Sequence, residues 1–368
     1  MKYFISSLLV LCGIIGGTYF YENKVSEPVN NVEVSEESGE VSLPTAIEPV
    51  KITVEPVKSI DYTFNFSFAG DVLIASQKNQ TISGSFNEYA NNKPASYFFE
   101  NMTSYFQDDD YTIVNLENVL SDNKLTEVYK DYSPAFWFYS KVSNTDILTT
   151  GGIDVVSLSN NHYGDYGVQG QLDTQYALNG AGIQWGYDDK TVYLEKNGYT
   201  VALICNGLWG EWQADNIIKR IKEAETQSDF QIVYYHGGKE RLHKPEDWKV
   251  RASRKLVDNG ADLVIGNHPH VLQPVENYNG VDIVYSLGNF CFGGNTKPEN
   301  RTVLMQYTLN LTKDNDSGVV TLNSKAMNLI PCYVYTGNIN NYQPALISDE
   351  AESQKVLDFM SGNRELPY

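Results

Sequence analysis

Positive charge is scarce in this chain. Its 368 residues hold 27 Lys and Arg against 46 Asp and Glu, a formal net charge of −19 at pH 7. Affinity for nucleic acid rests on Lys and Arg that neutralise phosphates, so this balance argues against a nucleic-acid partner. It also repels a polyanion over most of the surface. An anionic substrate would need a local positive focus, which a bound divalent cation can supply; the plainer reading of the acidity is solubility. Cysteine is equally sparse, at four residues. Cys12 lies in an N-terminal apolar run, and Cys205, Cys291 and Cys332 fall in separate strand-like runs with no C-x-x-C spacing. That excludes a zinc knuckle and a full disulfide framework, and leaves either one bridge or three buried thiols. Absent altogether are the G-x-S-x-G elbow, the P-loop and the dinucleotide fingerprint. No internal repeat is present.

What the chain does have begins with Lys2 and a nearly unbroken apolar run from Tyr3 to Tyr21. The run is about long enough to cross a bilayer as a helix. No small-x-small cleavage site follows it, and Leu11 precedes Cys12 where a lipoprotein signal needs a small residue. An uncleaved signal-anchor over residues 1–21 is therefore favoured over a cleaved signal peptide, with Lys2 cytoplasmic and the rest of the chain outside. From Glu22 to Ser59 the composition turns to Glu, Val, Ser and Pro without aromatics, which reads as a flexible acidic stalk. A folded domain is expected over residues 60–368. With 42% hydrophobic residues in the chain, it has ample material for a core.

Within it, apolar runs of strand length end abruptly in polar or Gly-rich clusters: Phe64–Ala69, Tyr111–Leu116, Asp154–Leu158, Val201–Cys205, Gln231–Tyr235, Leu263–Ile265 and Ile283–Leu287. Apolar residues at helical spacing predict helices over Gly167–Asn179, Ala214–Thr226 and Lys249–Val257. This alternation predicts a layered α/β domain. Val303–Leu311 and Val319–Val334 read as later strands and Asp349–Met360 as a closing helix.

Ligands in open α/β sheets bind beyond the carboxyl ends of the strands, and here those ends carry the chemistry. Four of the five histidines, His162, His236, His268 and His270, follow apolar runs. His268-Pro269-His270 can aim two imidazoles at one point; alone it reads equally well as an exposed turn. With His236, Asn161, Asp71 and Glu117 at other strand ends, the set reads as ligands for one or two divalent cations of the Mn, Zn or Fe type. His162 is placed to protonate a leaving group, with Asp165 orienting it. The competing readings are a capping role for the Asn-rich turn and an N-cap role for Asp71. Glu240, Asn289 and Asn160 are candidates for supporting or substrate contacts.

Phe68-Ala-Gly-Asp71, Asn115-Leu-Glu117, Asp154 to His162 with Asp165 and Gly167, His236-Gly-Gly-Lys-Glu240, Gly260 to Val271 and Tyr285-Ser-Leu-Gly-Asn-Phe290 together resemble the CapA family of capsule-synthesis, poly-γ-glutamate biosynthesis proteins. The resemblance runs from about Phe64 to Phe292. It implies a calcineurin-like metallophosphoesterase fold, two β-sheets packed between helices in an αββα sandwich behind an N-terminal anchor. It also implies a role at the cell membrane in making, exporting or anchoring an anionic polymer beside membrane-bound capsule-synthesis proteins. By position, Asp71, Glu117, Asn161, His236, His268 and His270 match that superfamily's metal-binding pattern, and His162 its acid. Three positions depart from the pattern: Leu73 stands where a His is usual, Gly237 where a Trp is common, and Asn267 where a His is common.

Overall fold

Successive side chains of a strand point to opposite faces, and a strand buried on both faces reads as a continuous apolar run. Phe64, Phe66 and Phe68 enter one buried cluster, while Ala69 and Val72 enter another. Val155 and Val156 divide in the same way. So do Ile232 and Tyr234 against Val233 and Tyr235. The last two runs are apolar on both faces because two different layers cover them; in the first, Asn65 and Ser67 alternate with the phenylalanines before Ala69.

The structure is a computed structural model that describes residues 58–80, 83–293 and 299–368. All of these lie in the compact unit Pro56–Tyr368. The expected anchor over residues 1–21 and nearly all of the expected stalk lie outside the described residues. Among the described residues, no helix is long and apolar enough to cross a membrane.

Two larger sheets form the centre. The first runs, in spatial order, Ala345–Leu346, Val320–Tyr333, Arg301–Asp314, Ser59–Val72, Tyr111–Leu116, Val155–Ser157 and Gln184–Gly186. Its last four strands are parallel, and Arg301–Asp314 pairs antiparallel with both Ser59–Val72 and Val320–Tyr333. The second sheet runs Leu272–Tyr278, Val281–Leu287, Leu263–Asn267, Phe230–His236, Tyr199–Gly207 and Val192–Lys196, parallel except at its two edges. The largest apolar cluster joins residues of both sheets. The outer face of the first sheet packs on Thr145–Gly151 and Gly167–Gly180, and that of the second on Ala214–Ala224 and Asp247–Val257. The order is therefore helices, sheet, sheet, helices.

The three predicted helices and the later antiparallel strands are present within three residues of their expected ends. The closing helix is Glu350–Met360, with the Asp349 side chain capping it by accepting from the Glu352 N–H. Short elements escaped the sequence pattern: helices Phe86–Asn92, Thr103–Gln107 and Thr145–Gly151, and a small sheet of Ser76–Gln77, Phe138–Ser140 and Val119–Leu120. None of these is long enough to display a period.

Cys205, Cys291 and Cys332 are free and buried, which settles the open choice in favour of three thiols. Burial pushes the Cys205 thiol up to about 11, Cys332 up to about 12 and Cys291 higher still. All three should resist maleimide in the folded protein and label on denaturation; rapid native labelling of any one would contradict its burial. Folded pKa values above the unfolded ones mean that this contribution to stability is complete below the ordinary thiol pKa, about 8.5, and is lost progressively above it.

Candidate metal centre

The parallel strands of both sheets deliver their carboxyl ends to one place. Asp71 is the penultimate residue of Ser59–Val72, and Glu117 follows Tyr111–Leu116 directly. His236 ends Phe230–His236, and His268 follows Leu263–Asn267. Asn161 and His162 lie in the turn after Val155–Ser157. Asp71 lies within a strand and caps no helix.

Glycine permits the closest approach. A Cβ at Gly70 would lie 1.8 Å from the Gly288 carbonyl oxygen. Without it, the Asp71 N–H donates to Gly288 O at 3.0 Å and the Phe290 N–H donates to Asp71 O at 2.8 Å. This places Asn289 beside Asp71, with Asn289 Oδ1 2.8 Å from His270 Nδ1. His268 and His270 hold φ values of +96° and +58°. Such conformations cost on the order of 1–3 kcal/mol each and persist only where the surroundings enforce them. Here the His268 N–H donates to Asp71 Oδ2 at 3.1 Å, and His268 Nδ1 stands 3.0 Å from His236 Nε2.

Asp71 and Glu117 are both fully buried. Among the described residues, neither forms an ion pair with Lys or Arg; the side chains paired with them are imidazoles. His236 Nδ1 is 3.6 Å from each carboxylate, and His270 Nδ1 is 3.3 Å from Asp71 Oδ2. Burial, then the charge of Asp71, push the Glu117 carboxyl well above its ordinary range. Burial also acts to raise Asp71, but the adjacent His236 and His270 imidazoles together outweigh that and hold it well below the usual range. Desolvation lowers His236 to about 4 and His268 well below its ordinary value. Both imidazoles are thus neutral near pH 7, the form that ligates metals.

These residues fit a divalent cation. Glu117 Oε2 is buried with no hydrogen-bond partner. Asn115 Nδ2 approaches Asp71 Oδ1 at 2.8 Å, and Glu117 Oε1 and His236 Nδ1 at 3.0 Å each. An amide nitrogen has two protons for those three neighbours. Two donor sets lie within ligand spacing, each with its atoms within 4.8 Å of one another: Asp71, Glu117 and His236, and Glu240, His268 and His270. Mixed carboxylate and imidazole donors suit Mn, Fe or Zn.

Nearby, His162 Nδ1 is 2.9 Å from Asp165 Oδ2. Asp165 is held by Lys130 Nζ at 2.6 Å and by the Phe138 N–H at 2.9 Å. Burial lowers the His162 pKa, with Asp165 acting against it. His162, His270 and Glu240 line a cavity of about 340 Å³ whose walls include Leu73, Phe138 and Phe292.

The expected site residues therefore converge. Asn161 Oδ1 meets His236 Nε2 at 2.9 Å. Glu240, read from sequence as a supporting or solvated residue, comes within ligand spacing of two histidines while remaining exposed. Asn160 acts as a brace: its NH2 donates to Asn115 Oδ1 and Leu116 O, and its Oδ1 accepts from the N–H groups of His162 and Tyr163. The three departures also find their places. Leu73 turns into an apolar cluster with Phe138 and Phe292. Asn267 is buried with its NH2 3.3 Å from Tyr235 O. At Gly237 a Cβ would lie 1.8 Å from Leu208 O; the indole at the site comes instead from Trp209, edge-on to His268 with ring centroids 4.9 Å apart. Sequence reading missed Asn115, Lys130 and Trp209 as contributors. Only Asn115 carried a signal, as a polar residue inside an apolar strand.

An α/β protein of two face-to-face sheets, with carboxylates and imidazoles gathered at their shared carboxyl end, is the class that fold and site define. Residues 65–294 match the family of bacterial capsule synthesis proteins, PGA_cap, and the chain belongs to that family. It is 32% identical over 275 residues to the PGA biosynthesis protein CapA of Bacillus subtilis, covering 68% of this chain and 71% of that one. It is 26% identical over 338 residues to the capsule biosynthesis protein CapA of Bacillus anthracis, covering 84% and 77%. Among solved structures, a phosphatase from Mycoplasma pneumoniae aligns with a TM-score of 0.39 at 13% identity, over 74% of this chain and 95% of that one. A Thermus thermophilus protein aligns with the same TM-score at 9% identity, over 72% and 99%.

Proposed function

We propose that this protein acts at the cell surface in the synthesis, export or anchoring of an anionic capsular polymer of the poly-γ-glutamate type, through a metal-dependent hydrolytic site. The observation that carries this reading is the pair Asp71 and Glu117, side by side and fully buried, with imidazoles beside them and no ion pair to Lys or Arg among the described residues. Such a pair is costly without a cation and natural around one. Asp71, Glu117, Asn161, His236, His268 and His270 would hold one or two divalent ions, with Glu240 completing the second donor set. A bound ion would supply Lewis acidity and an activated water for attack on a phosphoester or an amide. His162 carries the proton. Asp165 fixes its ring through Nδ1, which leaves Nε2 for the cavity. The lowered pKa keeps the free imidazole neutral, and an anionic substrate group beside it would favour the charged, proton-donating form. Leu73, Phe138 and Phe292 keep one wall dry.

Residues 1–21 as an uncleaved anchor, the acidic stalk and membrane-bound synthesis proteins as partners belong to the same proposal. A second reading, a non-catalytic polymer-binding or assembly subunit, draws support from Leu73: an apolar residue occupies a usual ligand position, and the second donor set relies on the exposed Glu240.

Metal content tests the site. The purified protein, reloaded with Mn, Zn or Fe, should hold near-stoichiometric metal, and His268→Ala/His270→Ala should lower metal affinity roughly 100-fold or more. No metal in either form would remove the hydrolase reading and leave the assembly role.

A further inference from the structure

A second cavity, of about 500 Å³, adjoins the one at the candidate centre: Gln77 and Gln80 line both. Its other walls include Lys78, Lys124, Tyr139 and Tyr166. Two features set it apart from ordinary surface. The first is charge. The two linings together hold three cations, Lys78, Lys124 and Arg241, against two carboxylates, Glu127 and Glu240. The whole chain has 27 cations against 46 carboxylates. Lys78 pairs with Glu127 and Arg241 with Glu299, which leaves Lys124 as the cation of these linings with no ion pair among the described residues. The second feature is Tyr166. It is 4% exposed, and its hydroxyl is buried with no hydrogen-bond partner. A buried hydroxyl left unpaired is destabilising, and Tyr166 stands in the wall of this cavity, so a partner arriving from outside would reach that hydroxyl by a small displacement of the wall. The Tyr139 ring stands edge-on to Tyr166, with centroids 4.9 Å apart, and Tyr139 remains 37% exposed.

We infer that the two cavities form one track for an extended acidic polyamide, with the scissile or held end at the candidate metal centre and the following residues crossing Gln77 and Gln80 to Lys124 and Tyr166. This rests on the polymer reading proposed above and adds a subsite to it. The side-chain amides of Gln77 and Gln80 offer both a donor and an acceptor, as the backbone amides of such a chain require. Lys124 meets a carboxylate further along, and the Tyr166 hydroxyl gains its missing partner. The exposed Lys124 acts through charge, and Tyr166 through a single hydrogen bond.

The test is calorimetric binding of a glutamate dipeptide and of a long glutamate oligomer to the full-length protein, with Lys124→Glu and Tyr166→Phe variants. Tyr166→Phe removes a hydroxyl that has no partner in the protein, so thermal stability should stay equal or rise. Each variant should weaken the long oligomer by about fivefold while leaving the dipeptide unchanged. Only the Lys124→Glu loss should shrink at high salt. Equal losses for both lengths, or no loss for the long one, would overturn the track and leave the polymer reading standing. A wild-type protein that binds neither ligand would overturn both. Binding of a carboxylated polysaccharide with the same Lys124 dependence, without binding of the glutamate oligomer, would overturn the polyamide assignment.

Discussion

His162→Ala should abolish most of the proposed hydrolytic activity while leaving the fold and the capacity to bind metal in place. The expected loss of turnover on the polymer is about 10²–10⁴-fold, the usual contribution of a positioned proton-transfer group. Metal content should not change, because His162 belongs to neither donor set and its Nδ1 is engaged by Asp165. Asp165→Asn should give a smaller loss, since the imidazole would keep its place between the Phe138 ring and the turn braced by Asn160 while losing its anionic partner. Turnover is to be measured beside metal analysis and circular dichroism of each variant. A folded, metal-replete His162→Ala protein with undiminished turnover would remove His162 from the chemistry. One that also preserves the capsule in cells would favour the assembly role.

Lys249→Met should stabilise the protein near pH 7 and flatten its pH dependence. Lys249 is fully buried on the helix Asp247–Val257, its Nζ donating to Gln273 Oε1 at 2.9 Å. Desolvation pulls its pKa down to about 7, with the Glu246 and Asp71 carboxylates acting against the shift. The unfolded chain titrates at the ordinary value, about 10.4. Between those values the unfolded state binds more protons, so stability rises with pH across the window, by about 1.4 kcal/mol per unit. Below pH 7 the full burial penalty applies, roughly 4–5 kcal/mol. Methionine has similar length and no charge, but it strands Gln273 Oε1 at a cost of about 1–3 kcal/mol. A net gain of roughly 2 kcal/mol at pH 7 remains. Urea denaturation at pH 7 and pH 8.5 should show the advantage of the variant shrinking by about 1.5–2 kcal/mol as pH rises. The three buried thiols bend stability the other way at higher pH, but they are common to both proteins and cancel in the difference. An advantage that is constant with pH would show that Lys249 does not titrate as its burial requires.

The layers of this fold were legible because burial leaves a local mark. Ile232–Tyr235 and Leu263–Ile265 are apolar at consecutive positions, as strands covered on both faces must be, whereas Phe64–Ala69 alternates its phenylalanines with Asn65 and Ser67. Ala214–Ala224 and Asp247–Val257 show the helical period of elements covered on one; Gly167–Gly180 does not, since it buries Gly170, Thr174, Ala177 and Leu178 and exposes Val168, Leu172 and Tyr176. The polar residues that break those runs, from Asp71 to His270, marked the strand ends where a ligand site belongs. The short helices and the small sheet left no such mark, since five or seven residues do not complete a pattern.

By itself, then, the sequence determined the alternation of elements, the candidate ligands and the place they occupy on their strands, because each depends on a residue and its near neighbours. Tertiary structure alone decided that Leu73 faces an apolar wall, that Glu240 joins His268 and His270, that Lys130 holds Asp165 from 35 residues away, and that Trp209 stands at the histidines from another loop. Those outcomes depend on which strands lie side by side and how closely two backbones approach, as at Gly70 and Gly288, where one missing Cβ sets the distance. Contacts of that range are set by the packing of whole layers, and no local period records them.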